Sequence, residues 1–152
     1  MRLRSAAMAE RPPRPTRASF PRGCAITTRW MDNDVYGHVN NVVYYSWFDT
    51  AVGRFLMDEV GLRYHESDVV GLVVETQCRY HAPVSFPEPV DVRIACARIG
   101  TSSVRYEIGV FVDRDELAIA DGHFVHVYVD RATHRPVPVP DAYRTALATI
   151  TR

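Results

Sequence analysis

The segment between residues 32 and 41 combines acidic, imidazole and amide side chains around a glycine. It reads Asp32-Asn33-Asp34-Val35-Tyr36-Gly37-His38-Val39-Asn40-Asn41. An aspartate can act as a base or nucleophile, and it can also cap a turn or complement a helix dipole. Backbone N–H groups at a helix N-terminus attract developing negative charge. The segment is therefore a candidate site, and its residues alone leave both roles of Asp34 open.

The stretch that follows has the apolar spacing of an α-helix. Apolar residues at i, i+3, i+4, i+7, i+8 and i+11 are Tyr44, Trp47, Phe48, Ala51, Val52 and Phe55. Asn40 is predicted as the N-cap and Gly61 as the terminator, which gives a helix of about four to five turns. The opposite side is also apolar, with Val42, Val43, Tyr45, Leu56 and Met57. Such a helix must be covered by other structure.

Alternation of apolar and polar residues predicts strands on both sides of this helix. A short first strand is predicted over 24–31, and four more over 69–81, 90–99, 103–112 and 117–129. Short breaks at 99–102 and 113–116 are typical of hairpins, so we expect an antiparallel meander. A short terminal helix is predicted over 140–150. The order β-α-β-β-β-β indicates an α+β hotdog fold, a five-stranded antiparallel sheet wrapped around one long central helix.

Composition narrows the function classes. The 152 residues suit one domain, and a formal net charge of zero gives no field to attract nucleic acid or an anionic membrane. No lysine and no glycine-rich phosphate fingerprint occur, so no nucleotide or Schiff-base cofactor is expected. Three widely separated cysteines, Cys24, Cys78 and Cys96, suggest a reducing, cytoplasmic setting. Six arginines and four prolines in residues 1–22 predict a disordered leader before a single domain over 23–152.

The loop and helix start carry a resemblance to a known family. The pattern Asp32-x-Asp34-x-x-Gly37-His38-Val39-Asn40-Asn41-x-x-Tyr44-x-x-Trp47 resembles the signature of the 4-hydroxybenzoyl-CoA thioesterase-like acyl-CoA thioesterases. The resemblance implies hydrolysis of an acyl or aryl thioester of CoA, or of acyl carrier protein, without metal or redox cofactor. It implies Asp34 as nucleophile or general base and the Asn41 N–H as the group that polarises the carbonyl. It also implies a homodimer or homotetramer with sites between subunits.

The remaining loop residues have supporting assignments. Gly37, His38, Asn40 and Tyr44 are predicted to bind substrate, with His38 positioning substrate or ordering the loop rather than acting as the base. Asn40 is also predicted to be the N-cap of the helix. Asp32 is predicted to be structural, pairing with Arg29 or fixing the loop. The helix aromatics Tyr44, Tyr45, Trp47 and Phe48 line an acyl or aryl pocket or belong to the core.

Three alternatives compete with this interpretation. A zinc site would need Asp34, His38, His123 and His126, but residues 123 and 126 point to opposite faces of a strand, so no metal site is predicted. A hotdog hydratase or dehydratase would leave the thioester intact, and a non-catalytic acyl-CoA-binding module would not need Asp34. The other histidines, His65, His81 and His134, are predicted at the surface or an interface. Candidate partners for CoA phosphates are Arg93, Arg98 and Arg105.

Overall fold

A single antiparallel sheet and one long helix make up most of the structure, a computed structural model that describes residues 11–152. The strands are β1 (Arg22–Ile26), β2 (Val69–Tyr80), β3 (Val90–Ile99), β4 (Ser103–Val112) and β5 (Asp115–Asp130). The helices are α1 (Val43–Val60) and α2 (Asp141–Ala148). Two short 3-10 turns cover Arg17–Ser19 and Trp30–Asp32. Within this part of the chain, no helix has the length and apolar character needed to cross a membrane.

The sheet order is β1-β3-β4-β5-β2, with every neighbouring pair antiparallel. The predicted meander is correct for β3, β4 and β5, whose hairpins lie where the sequence breaks indicated. It is wrong for β2, which pairs along its length with β5 rather than with β3. Alternation identifies a strand but not its partner, and the connection over 81–89 carries the chain across the sheet. The hotdog architecture itself is as predicted.

Helix α1 packs one side against the sheet. Its buried residues are Tyr44, Trp47, Phe48, Ala51, Val52, Phe55 and Leu56. Gly61 ends the helix as predicted, in a left-handed conformation with φ 66°, and its N–H bonds to the last-turn carbonyls. Val42 and Met57 remain 63% and 49% exposed, so residues 11–152 of one chain cover this apolar segment only in part. One sheet shields only one side of a helix.

The start of the helix also differs from the prediction. The helix begins at Val43, and Asn40 caps the preceding turn instead. The Asn40 side-chain oxygen accepts the N–H of Val42 at 3.0 Å, and its carbonyl accepts the N–H of Val43 at 3.0 Å. Asn40 is thus a local cap, placed two residues before the N-cap position at Val42.

Two predictions near the N-terminus require correction. The first strand ends at Ile26 rather than extending to residue 31, because Trp30 to Asp32 turn into a 3-10 segment. The predicted disordered leader is wrong for residues 14–22: Phe20 is 2% exposed in a small core cluster, and Arg14 and Arg17 pair with acidic residues of the sheet. Residues 1–10, the rest of that prediction, lie outside the described residues.

Candidate active site

The loop before α1 and the end of β2 enclose an open pocket of about 410 Å³, which we call the loop pocket. Its lining residues are Asp34, Tyr36, His38, Val39, Asn41, Tyr44, Tyr80, His81, Ala82 and Pro83. The structure therefore brings Asp34, His38, Asn41 and Tyr44 to one place. Gly37 and Asn40 support this pocket from the loop backbone.

Asp34 begins the turn that shapes the loop. The Gly37 N–H donates to the Asp34 carbonyl at 3.1 Å, and the Asp34 N–H donates to the His38 carbonyl at 2.8 Å. Gly37 has φ 83°, a conformation that a side chain would strain. The Asp34 Oδ1 accepts the N–H of Tyr36 at 2.9 Å. The carboxylate thus orders its own turn and also faces the pocket.

Asp32 holds the base of the loop, as predicted. It is 1% exposed, and its carboxylate accepts hydrogen bonds from the Arg29 backbone N–H at 2.8 Å and from the Arg29 guanidinium at 2.8 and 3.0 Å. Its carbonyl accepts the N–H of Asn40 at 2.8 Å. Asp32 and Asp34 therefore have different surroundings. Asp32 is buried and hydrogen-bonded to the protein, whereas Asp34 lines an open pocket.

The connection over 81–89 fixes the loop from the other side. The Val39 N–H donates to the Val84 carbonyl at 2.8 Å, and the Ser85 hydroxyl donates to the Gly37 carbonyl at 2.6 Å. His38 is exposed at the pocket, and its side chain has no hydrogen-bond partner within residues 11–152. Loop order thus comes from backbone contacts rather than from the His38 ring.

The turn that leads into α1 at Val43 contains Asn41, which lines the loop pocket. The Asn41 carbonyl accepts the Tyr80 hydroxyl at 2.8 Å, which ties this turn to β2. Within the described part of the chain, the Asn41 N–H meets no acceptor. Tyr44 is 3% exposed and packs edge-on against Tyr80, with ring centroids 5.0 Å apart. Burial raises the pKa of Tyr44 to about 12, so this phenol forms a neutral wall.

His81 lines the loop pocket, whereas the sequence interpretation placed it at the surface or an interface without a role in the site. Its side chain is only 11% exposed, and Nε2 lies 2.5 Å from the Asp121 Oδ1. The Arg79 guanidinium bonds to the other Asp121 oxygen. His81 lies 47 positions after Asp34 in a different element, so no local spacing could have joined them. The antiparallel pairing of β2 with β5, which places Arg79 opposite Asp121, builds the cluster.

A second cavity of about 300 Å³ lies along the C-terminal half of α1, and we call it the helix cavity. Its lining residues are Asp49, Gly53, Leu56, Leu62, Tyr64, Val70, Gly71, Val73, Phe124, His126, Tyr128 and Tyr143. His126 is 8% exposed, and its Nδ1 is buried without a partner in residues 11–152. Burial lowers the pKa of His126 to about 4, so the ring is neutral near pH 7.

The other residues considered as metal ligands or phosphate partners lie outside the loop pocket. His123 bonds through Nε2 to Glu75 at 2.6 Å, away from His126. No three His, Cys, Asp or Glu side chains within residues 11–152 are grouped to hold a metal ion. Arg93 donates to the Phe20 carbonyl and Asp91, and Arg105 donates to Glu107. These two arginines are thus engaged by the protein itself.

Comparison with known proteins agrees with this geometry. The sequence profile of the thioesterase-like superfamily matches residues 28–147. The chain is 47% identical to the PA5185 protein of Pseudomonas aeruginosa, with a TM-score of 0.89 over 91% of this chain and 97% of that one. It is 31% identical to the PA2801 protein of the same species, a provisionally assigned thioesterase, with a TM-score of 0.78 over 84% and 98%. No curated protein sequence matches the chain.

A more distant structure shows the fold alone. The 1,4-dihydroxy-2-naphthoyl-CoA thioesterase of Synechocystis is 15% identical, with a TM-score of 0.75 over 83% of this chain and 94% of that one. Sheet, helix and loop pocket together define a hotdog-fold domain of the thioesterase class. The chain belongs to the thioesterase-like superfamily. The family resemblance predicted from the sequence is thereby confirmed.

Proposed function

We propose that this protein hydrolyses an acyl-CoA thioester to the free acid and CoA, with Asp34 as nucleophile or general base. The observation that carries the proposal is that Asp34 and Asn41 line one open pocket, and that the Asn41 N–H has no acceptor within residues 11–152. Membership of the thioesterase-like superfamily supports thioester hydrolysis as the reaction class.

The two groups have complementary tasks in that reaction. Asp34 attacks the thioester carbonyl or removes a proton from the attacking water, and the carbonyl oxygen then gains negative charge. The Asn41 N–H and the positive end of the α1 dipole stabilise this charge in the proposal, since Asn41 lines the pocket just before the helix begins. Gly37, His38, Asn40 and Tyr44 hold the loop and the walls against which the acyl group binds.

The CoA portion requires cations near the pocket mouth. An adjoining depression shares Tyr80 and His81 with the loop pocket and adds Arg11 and Arg79. Arg79 is 45% exposed although it also contacts Asp121. We place the CoA phosphates here because Arg79 adjoins the loop pocket, whereas Arg93, Arg98 and Arg105 line neither depression.

The working species in this proposal is a homodimer, or a homotetramer of two such dimers. Strand β2 is an edge of the sheet, and its 12 residues include Leu72, Val73 and Val74, which are 43%, 44% and 60% exposed. A long apolar edge is usually covered by another chain. Light scattering and activity measured together on dilution test this assembly. A monomer with full activity would contradict a site shared between subunits.

The central experiment is the substitution Asp34→Asn. Asparagine keeps the oxygen that accepts the Tyr36 N–H, so the turn is retained while the charge is lost. We expect kcat to fall by about 10²- to 10⁴-fold, the effect of removing a positioned base or nucleophile. Release of free thiol from benzoyl-CoA or hexanoyl-CoA is the readout. It separates hydrolysis from hydration of the acyl chain, which leaves the thioester intact, and from binding without turnover.

Asp130, at the C-terminal end of β5, provides a matched control. Asp130 also orders a turn, with its Oδ1 accepting the N–H groups of Ala132 and Thr133 at 3.0 and 2.8 Å, and it does not line the loop pocket. Asp130→Asn should keep the parent rate. If Asp34→Asn also keeps it, Asp34 is a turn cap and the proposed mechanism fails.

A further inference from the structure

We propose that His81 is a catalytic residue, a general acid that protonates the departing sulfur, and that Asp121 is its positioning residue. The inference rests on the proposed function, because it assigns a step of the same reaction in the same pocket. It goes beyond the carboxylate and helix N-terminus, which activate the acyl carbon but supply no proton to the leaving group.

The His81 ring is held in one orientation. Its Nε2 is bonded to Asp121 at 2.5 Å, and the His81 backbone N–H donates to the Ile119 carbonyl at 2.8 Å. Asp121 is itself 5% exposed and bonded to Arg79 through its second oxygen. Because Nε2 is engaged, Nδ1 is the ring nitrogen left to meet a ligand. His81 and Asp34 both line the loop pocket, so a bound thioester lies between them.

No other histidine within residues 11–152 combines these features. His38 lines the pocket but has no group that orients its ring. His123 has a carboxylate partner, Glu75, at 2.6 Å but does not line the pocket. A buried carboxylate behind an imidazole fixes the ring and offsets its positive charge when the second nitrogen carries a proton. His81 alone has both this support and access to the pocket.

The proton balance of the step is simple. Asp34, acting as the base, takes a proton from water, and the new C–O bond gives a tetrahedral intermediate whose oxyanion lies at the Asn41 N–H. The intermediate collapses, the C–S bond breaks, and its electron pair goes to sulfur. Sulfur receives the proton from His81 Nδ1, which yields the free thiol and neutral imidazole. Solvent takes the proton from Asp34 and returns one to His81. Water and thioester are consumed, and acid and thiol are formed.

The test compares leaving groups of different basicity. Parent and His81→Gln proteins are assayed on benzoyl-CoA or hexanoyl-CoA, whichever is cleaved, and on the S-phenyl thioester of the same acyl group. Glutamine keeps an amide N–H for Asp121 but has no titratable proton. We expect kcat on the CoA ester to fall by about 10²-fold, the scale of general acid catalysis, and kcat on the phenyl ester to change by less than about threefold. An aryl thiolate leaves without protonation.

Two further variants make the result decisive. Asp121→Asn should show the same preference for the phenyl ester with a smaller loss, because the ring loses its orientation but keeps its proton. If thermal unfolding shows that His81→Gln is not folded, the rates of Asp121→Asn on the two esters provide the test instead. His123→Gln removes another carboxylate-bound histidine, on the strand that carries Asp121, and should change neither rate.

The outcomes separate this inference from the proposed function. Equal losses on both esters, or no loss on either, overturn the acid role of His81 while leaving hydrolysis by Asp34 intact. Parent rates on both esters for Asp34→Asn would instead overturn the proposed function. An unchanged KM with a lower kcat on the CoA ester is expected, since the proton is needed only as the C–S bond breaks.

Discussion

Two of the cavities that border α1, the loop pocket and the helix cavity, differ in chemistry more than in size. The loop pocket, about 410 Å³, lies at the N-terminus of the helix and collects a carboxylate, two imidazoles and a backbone N–H. The helix cavity, about 300 Å³, lies along the C-terminal half and is mainly apolar. Most of the loop pocket comes from residues 34–44, whereas the helix cavity draws on two helices, two strands and a loop. One is built by local sequence and the other by packing.

The two cavities also treat charge differently. At the loop pocket, the first turn of α1 offers N–H groups and the positive end of the helix dipole, which stabilise an anion. In the helix cavity, burial lowers the pKa of His126 to about 4, which shows that this environment disfavours charge. The charged transition state of the proposed reaction therefore fits the loop pocket better than the helix cavity. Substitutions in the two cavities should affect different properties of the protein.

The largest effect on stability is expected for Phe124→Ala in the wall of the helix cavity. Phe124 is 3% exposed, and its ring centroid lies 4.7 Å from that of His126. Removing a buried phenyl ring should lower the free energy of unfolding by about 3–5 kcal/mol. Urea denaturation at pH 7 measures this loss. Asp34→Asn is the matching loop-pocket variant and should change the same quantity by less than about 0.5 kcal/mol.

One result would contradict the contrast between a structural helix cavity and a functional loop pocket. If Phe124→Ala is stable but loses activity, the helix cavity takes part in the reaction and is not a packing feature. Thiol release should therefore be measured with both variants at a temperature where each is folded.

A smaller effect is expected for the pH dependence of stability set by His126. Its folded pKa of about 4 is below the usual unfolded value, so the unfolded state binds the extra proton first as pH falls. Stability should be unaffected above about pH 6.5 and should decrease by about 3 kcal/mol as pH falls toward 4. Urea denaturation at pH 7 and pH 4.5 gives the slope for the parent protein and for His126→Leu.

The leucine variant should lose most of this slope. Asp115 and Asp130 have lowered pKa values because of hydrogen bonds to backbone N–H groups, so their contributions are lost only below about pH 4. Equal slopes in the parent and His126→Leu proteins would show that folding does not lower the pKa of His126.

The features predicted from sequence are those fixed by neighbours in the chain. Gly61 ends α1 where the apolar spacing stops, β3 and β4 have the predicted bounds, and Asp32 pairs with Arg29 three residues away. Each of these depends on a few consecutive residues. The pairing of β2 with β5 and the meeting of His81 with Asp34 depend on which strands become neighbours, and alternation carries no information about that.

The N-terminal segment shows the same limit in another form. Its prolines and arginines are typical of disorder, but Phe20 finds a small apolar site against Phe111 and Arg17 pairs with Asp91 at 2.8 Å. Composition indicates how much apolar surface a segment can bury by itself. It does not indicate which contacts the segment can make with the rest of the fold.

The smallest expected effect is that of removing metal ions, which should leave activity unchanged. The proposed reaction uses the Asp34 carboxylate, the Asn41 N–H, a proton from His81 and water, and a chelator takes none of these away. After dialysis against a strong chelator, kcat/KM on the CoA ester should equal that of untreated protein within error. If activity is lost and zinc or another divalent ion restores it, Asp34, His38 and His81 would have to be reassigned as metal ligands. The loop pocket would then differ from the helix cavity through a bound cation rather than through its own carboxylate and helix N-terminus.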